Sequence, residues 1–202
     1  MKKWSIALAS LLFATSAFAT PALTFNEASG VNGDNQGQSV GWRFTVLSSV
    51  SVNELGWYDQ GQDGLGHEHM VGLWDPSGTL LASALVPGGT VAGLDGVYRM
   101  VAISAITLTP GVNYVVGGEN FDTSGDRLAA NVTQAIDAHL SFGDATFSSL
   151  GSGFVRPDQD SSATTGFYGP MFGITAEAPE PATVALMALG LAGIGFRRRT
   201  TR

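Results

Sequence analysis

The chain has 202 residues, no cysteine and a formal net charge of −7. The missing cysteines exclude a thiol nucleophile, an iron–sulfur cluster, a thiolate zinc site and any disulfide. Residues 20–178 hold four arginines, no lysine and sixteen carboxylates, a net charge of −12, the reverse of the basic footprint that nucleic-acid binding needs.

The chain begins MKKWSIALASLLFATSAFA. Lys2 and Lys3 precede an apolar stretch, and Ala17 and Ala19 flank Phe18 as a small-residue cleavage site. This predicts a signal peptide over 1–19, cut after Ala19 by signal peptidase once the secretion machinery has engaged it. The export route permits disulfides, yet none can form.

From residue 39 the pattern reads as β-structure. The first strand is 39–46, rich in β-branched and aromatic residues. The second, 50–59, starts with Val50 and Val52 and changes parity at Leu55 and Trp57, which predicts a bulge near 54–56. Residues 69–86 read as a β-hairpin about a Pro76-Ser77-Gly78 turn. Three strands follow within 97–118, the first over 97–103, the last two separated by Pro110-Gly111. The signal weakens after Gly118. Later strands are expected at 139–143 and 168–175, with a long loop between 148 and 166. No stretch of the mature domain has a helical period, and glycine is abundant in the chain at 27 residues. Short strands at this spacing predict an all-β, single β-sandwich domain over 20–177, jelly-roll-like in topology.

The end of the chain is different in kind. Residues 182–196 are uncharged and apolar, and Arg197, Arg198, Arg199 and Arg202 follow. At about 1.5 Å per residue the run makes a short membrane helix, marginal against a hydrocarbon core about 30 Å thick. The arginines would stay on the cytoplasmic side. Immediately before the run stands Pro179-Glu180-Pro181. The tripeptide, apolar helix and arginine tail, in that order over 178–202, resemble the PEP-CTERM sorting signal of Gram-negative bacteria. The resemblance implies a substrate of exosortase, a membrane enzyme associated with exopolysaccharide and biofilm production. It makes Pro179, Glu180 and Pro181 recognition residues, and it implies an inner-membrane-anchored precursor that later reaches the cell surface or the medium.

A second resemblance covers about 40–172. Leu55-Gly56 beside an aromatic, His69 before Val71-Gly72-Leu73-Trp74-Asp75, Gly78 with Leu80-Leu81-Ala82, and Gly111 before Tyr114 resemble a β-sandwich domain of unknown function found in exported bacterial proteins. That resemblance implies architecture and no catalytic activity.

Several groups invite chemistry. His67-Glu68-His69 places two histidines at i and i+2, one face of a strand and so a conceivable metal pair. The plainer expectation is a loop followed by a strand-edge histidine bonded to backbone. The acidic turns 59–68 and 119–126 offer oxygens to calcium, but 59–68 breaks the EF-hand order at Gly61, and Asp, Asn and Gly make turns on their own account. No metal or cofactor is expected. No nucleophile elbow or assigned carboxylate pair supports a hydrolase, and no catalytic residue is expected. Trp42, Trp57, Tyr58, Trp74, Tyr98, Tyr114 and Tyr168 either stack sugars on an exposed face or fill the core; for the three tryptophans the core is expected. Asn131-Val132-Thr133 is a sequon expected to be unused. The leading expectation is thus a noncatalytic exported surface or matrix protein, with a carbohydrate-binding module on the same sandwich as the alternative and a secreted hydrolase behind it.

Overall fold

The computed structural model of the chain describes residues 19–26, 31–32, 37–120, 126–130, 132–161 and 166–176. The apolar run at 182–196 lies outside them, as does most of the signal peptide. Among the described residues no helix is long and apolar enough to cross a membrane.

The described chain is all-β. In order the strands are β1 (Thr20–Pro21), β2 (Leu23–Phe25), β3 (Val31–Asn32), β4 (Gln38–Val46), β5 (Val50–Tyr58), β6 (His69–Trp74), β7 (Leu80–Val86), β8 (Gly93–Asp95), β9 (Tyr98–Leu108), β10 (Asn113–Asn120), β11 (Leu128–Ala129), β12 (Gln134–Ile136), β13 (Leu140–Phe147), β14 (Gln159–Asp160) and β15 (Pro170–Ala176). One sheet has the order β1-β15-β5-β9-β8, and the facing sheet has the order β14-β13-β4-β10-β6-β7. Two small ribbons, β2 with β12 and β3 with β11, stand apart from them.

The pairing is nested. The hairpin β6–β7 is innermost, β5 pairs with β9 and β4 with β10 around it, and β1 with β15 closes the outside. Every one of these pairs is antiparallel. A hairpin wrapped on itself so that successive strands fall in facing sheets is the jelly roll. The β13–β14 ribbon adds to the β4 edge of the second sheet.

The core follows from the alternation read in the sequence. Val50 and Val52 point inward, and after the irregularity at Asn53 so do Leu55 and Trp57, all four fully buried. The pairings of β5 with both β9 and β15 shift register at this point, so the expected bulge is present but centred on Asn53, before the predicted stretch. Opposite it Ile103, Ser104 and Ala105 remain in one continuous β9. The strand expected to end at 103 therefore runs on, because the extra residues are absorbed as a bulge instead of a turn.

Aromatic rings join the two sheets. Phe172 of β15 stacks on Phe44 and Trp42 of β4, with centroids 4.6 Å and 5.5 Å apart. Burying one such side chain contributes about 1.5–3 kcal/mol. At Gly118 a Cβ would stand 2.7 Å from the Trp57 ring and 2.8 Å from the Met70 carbonyl oxygen, so the indole occupies the place a side chain would take.

Within the segment expected as a long loop at 148–166, the described residues 148–161 carry β14 and pack across the outside of the second sheet. Phe154 lies on Trp74 with centroids 5.4 Å apart, and a Cβ on Gly117 would meet the Pro157 ring at 2.6 Å. Ser39 Oγ accepts from the Val155 amide and donates to the Gly153 carbonyl, both at 3.0 Å. This strap explains why β4 is buried on both faces. At the β6–β7 turn, Asp75 accepts from the Ser77 hydroxyl and the Thr79 amide, and Gly78 takes φ of +89°.

Candidate functional sites

The loop 59–68 is held from inside by an ion pair. Asp59 is buried, and its carboxylate accepts from Arg99 Nε at 2.7 Å and from the Gly64 amide at 3.1 Å. Arg99 spends its other nitrogens on the carbonyls of Ala92 and Gln62. The first acidic turn thus commits its leading carboxylate to an arginine and to backbone. Among the described residues no three His, Asp or Glu side chains gather as a metal group. Most of the second turn, 119–126, lies outside the described residues.

The two neighbouring histidines separate. His67 is exposed in the loop, whereas His69 begins β6 and is fully buried. The same-face argument needs both residues on one strand, and only one is. The His69 ring lies flat on the Trp57 indole, with centroids 4.0 Å apart and planes 2° from parallel. Its Nδ1 is 3.1 Å from the Glu119 carbonyl oxygen and its Nε2 is 3.1 Å from Asp126 Oδ2. The expected strand-edge histidine bonded to backbone is therefore present, with a carboxylate added. Asp126 also accepts from the Gly66 and His67 amides at 2.7 and 2.8 Å. Burial raises the Asp126 carboxyl, but the His69 hydrogen bond and the two amides outweigh it and hold it below its ordinary value. Burial pushes the Glu119 carboxyl up, with His69 opposing. The constellation is a clamp joining β6, β10 and the 59–68 loop, with the His69 ring packed against the buried Trp57 indole. His139 is elsewhere, with Nδ1 2.7 Å from Asp137 Oδ1 in the approach to β13.

Ala19 is the one sorting or cleavage residue inside the described chain. It lines a cavity of about 360 Å³ with Glu54, Gly93, Leu94, Asp95 and Met100. Burial raises the Glu54 carboxyl, and repulsion from Asp95 adds to it. Ala17, Pro179, Glu180, Pro181, Arg197, Arg198, Arg199, Arg202 and the sequon residue Asn131 lie outside the described residues.

A larger cleft of about 600 Å³ opens between the start of β4, the end of β13 and β14. Gln38, Phe147, Ser148, Ser149, Leu150, Gln159 and Phe167 line it, with no charged side chain among them. Gln38 Nε2 donates to the Ser148 carbonyl at 3.3 Å, and Gln159 Nε2 donates to Ser149 Oγ at 3.0 Å. Phe147 and Phe167 meet edge to face, with centroids 6.5 Å apart. Sequence reasoning did not single out these residues. Their positions are far apart in the chain, and amides, serines and phenylalanines in glycine-rich segments carry no spacing signature.

The seven tryptophans and tyrosines weighed above, Trp42, Trp57, Tyr58, Trp74, Tyr98, Tyr114 and Tyr168, are all buried. The three indoles are core, as expected, and none of the seven forms a surface stripe.

Two family descriptions match the chain. Residues 25–169 match the Domain of unknown function (DUF4082), and residues 177–199 match the PEP-CTERM protein-sorting motif. No curated protein matches it. The motif makes this an exported protein, sorted by exosortase from a membrane-anchored precursor. The jelly roll described above lies mostly within the first match, and through it the chain belongs to the DUF4082 family, with a PEP-CTERM sorting motif behind the domain.

Proposed function

We propose that the protein is a noncatalytic ectodomain delivered to the cell surface or extracellular matrix, where it works alongside exopolysaccharide in a biofilm setting. The sorting motif next to the β-sandwich is the observation that carries this reading. In it, signal peptidase cuts after Ala19 and the 182–196 segment holds the precursor in the inner membrane. The arginines Arg197, Arg198, Arg199 and Arg202 keep its end in the cytoplasm, and exosortase acts near Pro179-Glu180-Pro181. The noncatalytic part rests on how the ionisable pairs are used. Asp59 with Arg99 and His69 with Asp126 are occupied in tying loops to strands.

The test is replacement of Pro179, Glu180 and Pro181 by alanine in the native host, followed by fractionation, intact mass and C-terminal peptide mapping. The expected result is a full-length, membrane-held precursor, against a wild-type protein that has lost its tail. Normal release of the variant, or a wild-type protein ending at Arg202, overturns the sorting assignment.

A carbohydrate-binding role on the same sandwich is the second reading. The buried indoles remove the aromatic stripe it would ordinarily use. The uncharged cleft beside β14 supports it in another form.

A further inference from the structure

We propose that the cleft between β4, β13 and β14 is a binding site for a neutral saccharide. The inference deepens the matrix reading above by giving the ectodomain a ligand class. It concerns residues that play no part in sorting.

The chemistry of the walls selects the ligand. Gln38 and Gln159 each present an amide, which offers donors and an acceptor from one rigid plane. Adjacent hydroxyls of a sugar need that combination. Each amide donates one N–H to a serine of the same wall, which fixes its plane; its carbonyl oxygen and second N–H are the groups assigned to a ligand. Phe147, Phe167 and Leu150 supply apolar surface for the C–H side of a sugar ring. A concave site with a mainly apolar lining and a few placed polar groups is the usual form of a small-ligand pocket, and about 600 Å³ lies in the usual size range.

Charge narrows the choice further. The ectodomain carries −12, yet among the described residues the lining holds no carboxylate and no cation. A uronate or sulfated glycan would enter without a partner for its charge, and against the field of the domain. A cationic ligand would find no carboxylate in the wall. A neutral, hydroxyl-rich ligand meets neither cost.

The walls are also held before any ligand arrives. Ser148 Oγ accepts from the Ser39 amide at 2.8 Å and lies 2.6 Å from Ser152 Oγ. Phe147 pairs with Gln159 across β13 and β14. Arg43 of β4 reaches over to an ion pair with Asp160 and donates to the Asp158 carbonyl. Three chain segments are thereby tied around the opening, so a ligand has little ordering left to impose. Leu150 at the rim is 74% exposed, and the cleft opens to solvent there.

The test is calorimetric titration of the purified processed protein with neutral oligosaccharides of glucose, mannose, galactose, xylose and N-acetylglucosamine. Oligogalacturonate serves as the charged control. Binding of at least one neutral glycan is expected, with oligogalacturonate weaker or silent. Gln159→Ala, at an exposed position, and Phe167→Ala should each weaken that binding by roughly tenfold, on the order of one well-made contact. Thermal unfolding of Gln159→Ala should match the parent, so that variant still decides the matter if Phe167→Ala is unstable. Silence with every neutral glycan, unchanged affinity in Gln159→Ala, or preference for oligogalacturonate overturns the proposal. Sorting is read separately from the mass of the tail, so the two readings fail independently.

Discussion

At the scale of single residues, the most consequential group is Asp126. It gathers the His69 ring and the amides of Gly66 and His67 onto one carboxylate. Replacing it with alanine leaves a fully buried imidazole nitrogen and two amides short of an acceptor, so Asp126→Ala is expected to cost about 1–3 kcal/mol of unfolding free energy at neutral pH. The pH sign follows from the direction of its shift. The folded protein holds this carboxyl below its ordinary value, so its stabilising contribution is complete above about pH 4. It fades as acid protonates the group in the folded state. Denaturant titrations of parent and variant should therefore differ most near neutrality and converge in strong acid. A difference that persists unchanged to pH 2 would remove the ionised carboxylate from the account. From His67-Glu68-His69 the loop, the start of a strand and the backbone bond of His69 were legible, since a loop ends and a strand begins between the two histidines. The carboxylate of Asp126 was not, because it arrives from a distant part of the chain.

At the scale of elements, the sequence was most informative where a strand has one dry face. The β6–β7 hairpin and its Pro76-Ser77-Gly78 turn are where the pattern placed them. The parity change in β5 is real, because Val50, Val52, Leu55 and Trp57 could all reach the core only with an irregularity between them. The short strands β1, β2, β3, β8, β11 and β12 carry too few residues to show a period and were not anticipated. The first half of β13 is where the strand over 139–143 was expected, whereas its run to Phe147, the partner β14 and the packed strap were not anticipated, since Ser, Gly and Asp are good loop formers whether or not the loop packs. Close approach between elements is testable at Gly118. A methyl group there would collide with the Trp57 ring and with the Met70 carbonyl, which is backbone and cannot swing away. Gly118→Ala should destabilise by roughly 1–3 kcal/mol and disturb the near-ultraviolet dichroism of Trp57. An alanine variant as stable as the parent would contradict the close packing of β10 on β5.

At the scale of the whole molecule, the nested pairing sets the order in which contacts become possible. The innermost hairpin is local, whereas Thr20 pairs with Ile174 at the outside. Closing such long loops is entropically costly before the contacts form. Refolding from denaturant is therefore expected on the millisecond-to-second scale typical of all-β domains. Stopped-flow tryptophan fluorescence would read it, and completion in microseconds would argue against long-range pairing as the rate-setting event.

The sequence by itself determined the class of the fold and the export and sorting of the protein. Both are written locally: alternation and turns declare β-strands within a few residues, and the export and sorting signals are continuous segments read by enzymes as linear motifs. Only the tertiary structure decided that the strands nest as a jelly roll and that the indoles are spent in the core. It also decided that Asp59 and Asp126 serve as ties, and that Gln38, Phe147, Gln159 and Phe167 share a wall. Those outcomes depend on which distant strands pair and in what register. That choice is made by burying the whole apolar surface at once, and no short stretch of the chain records it.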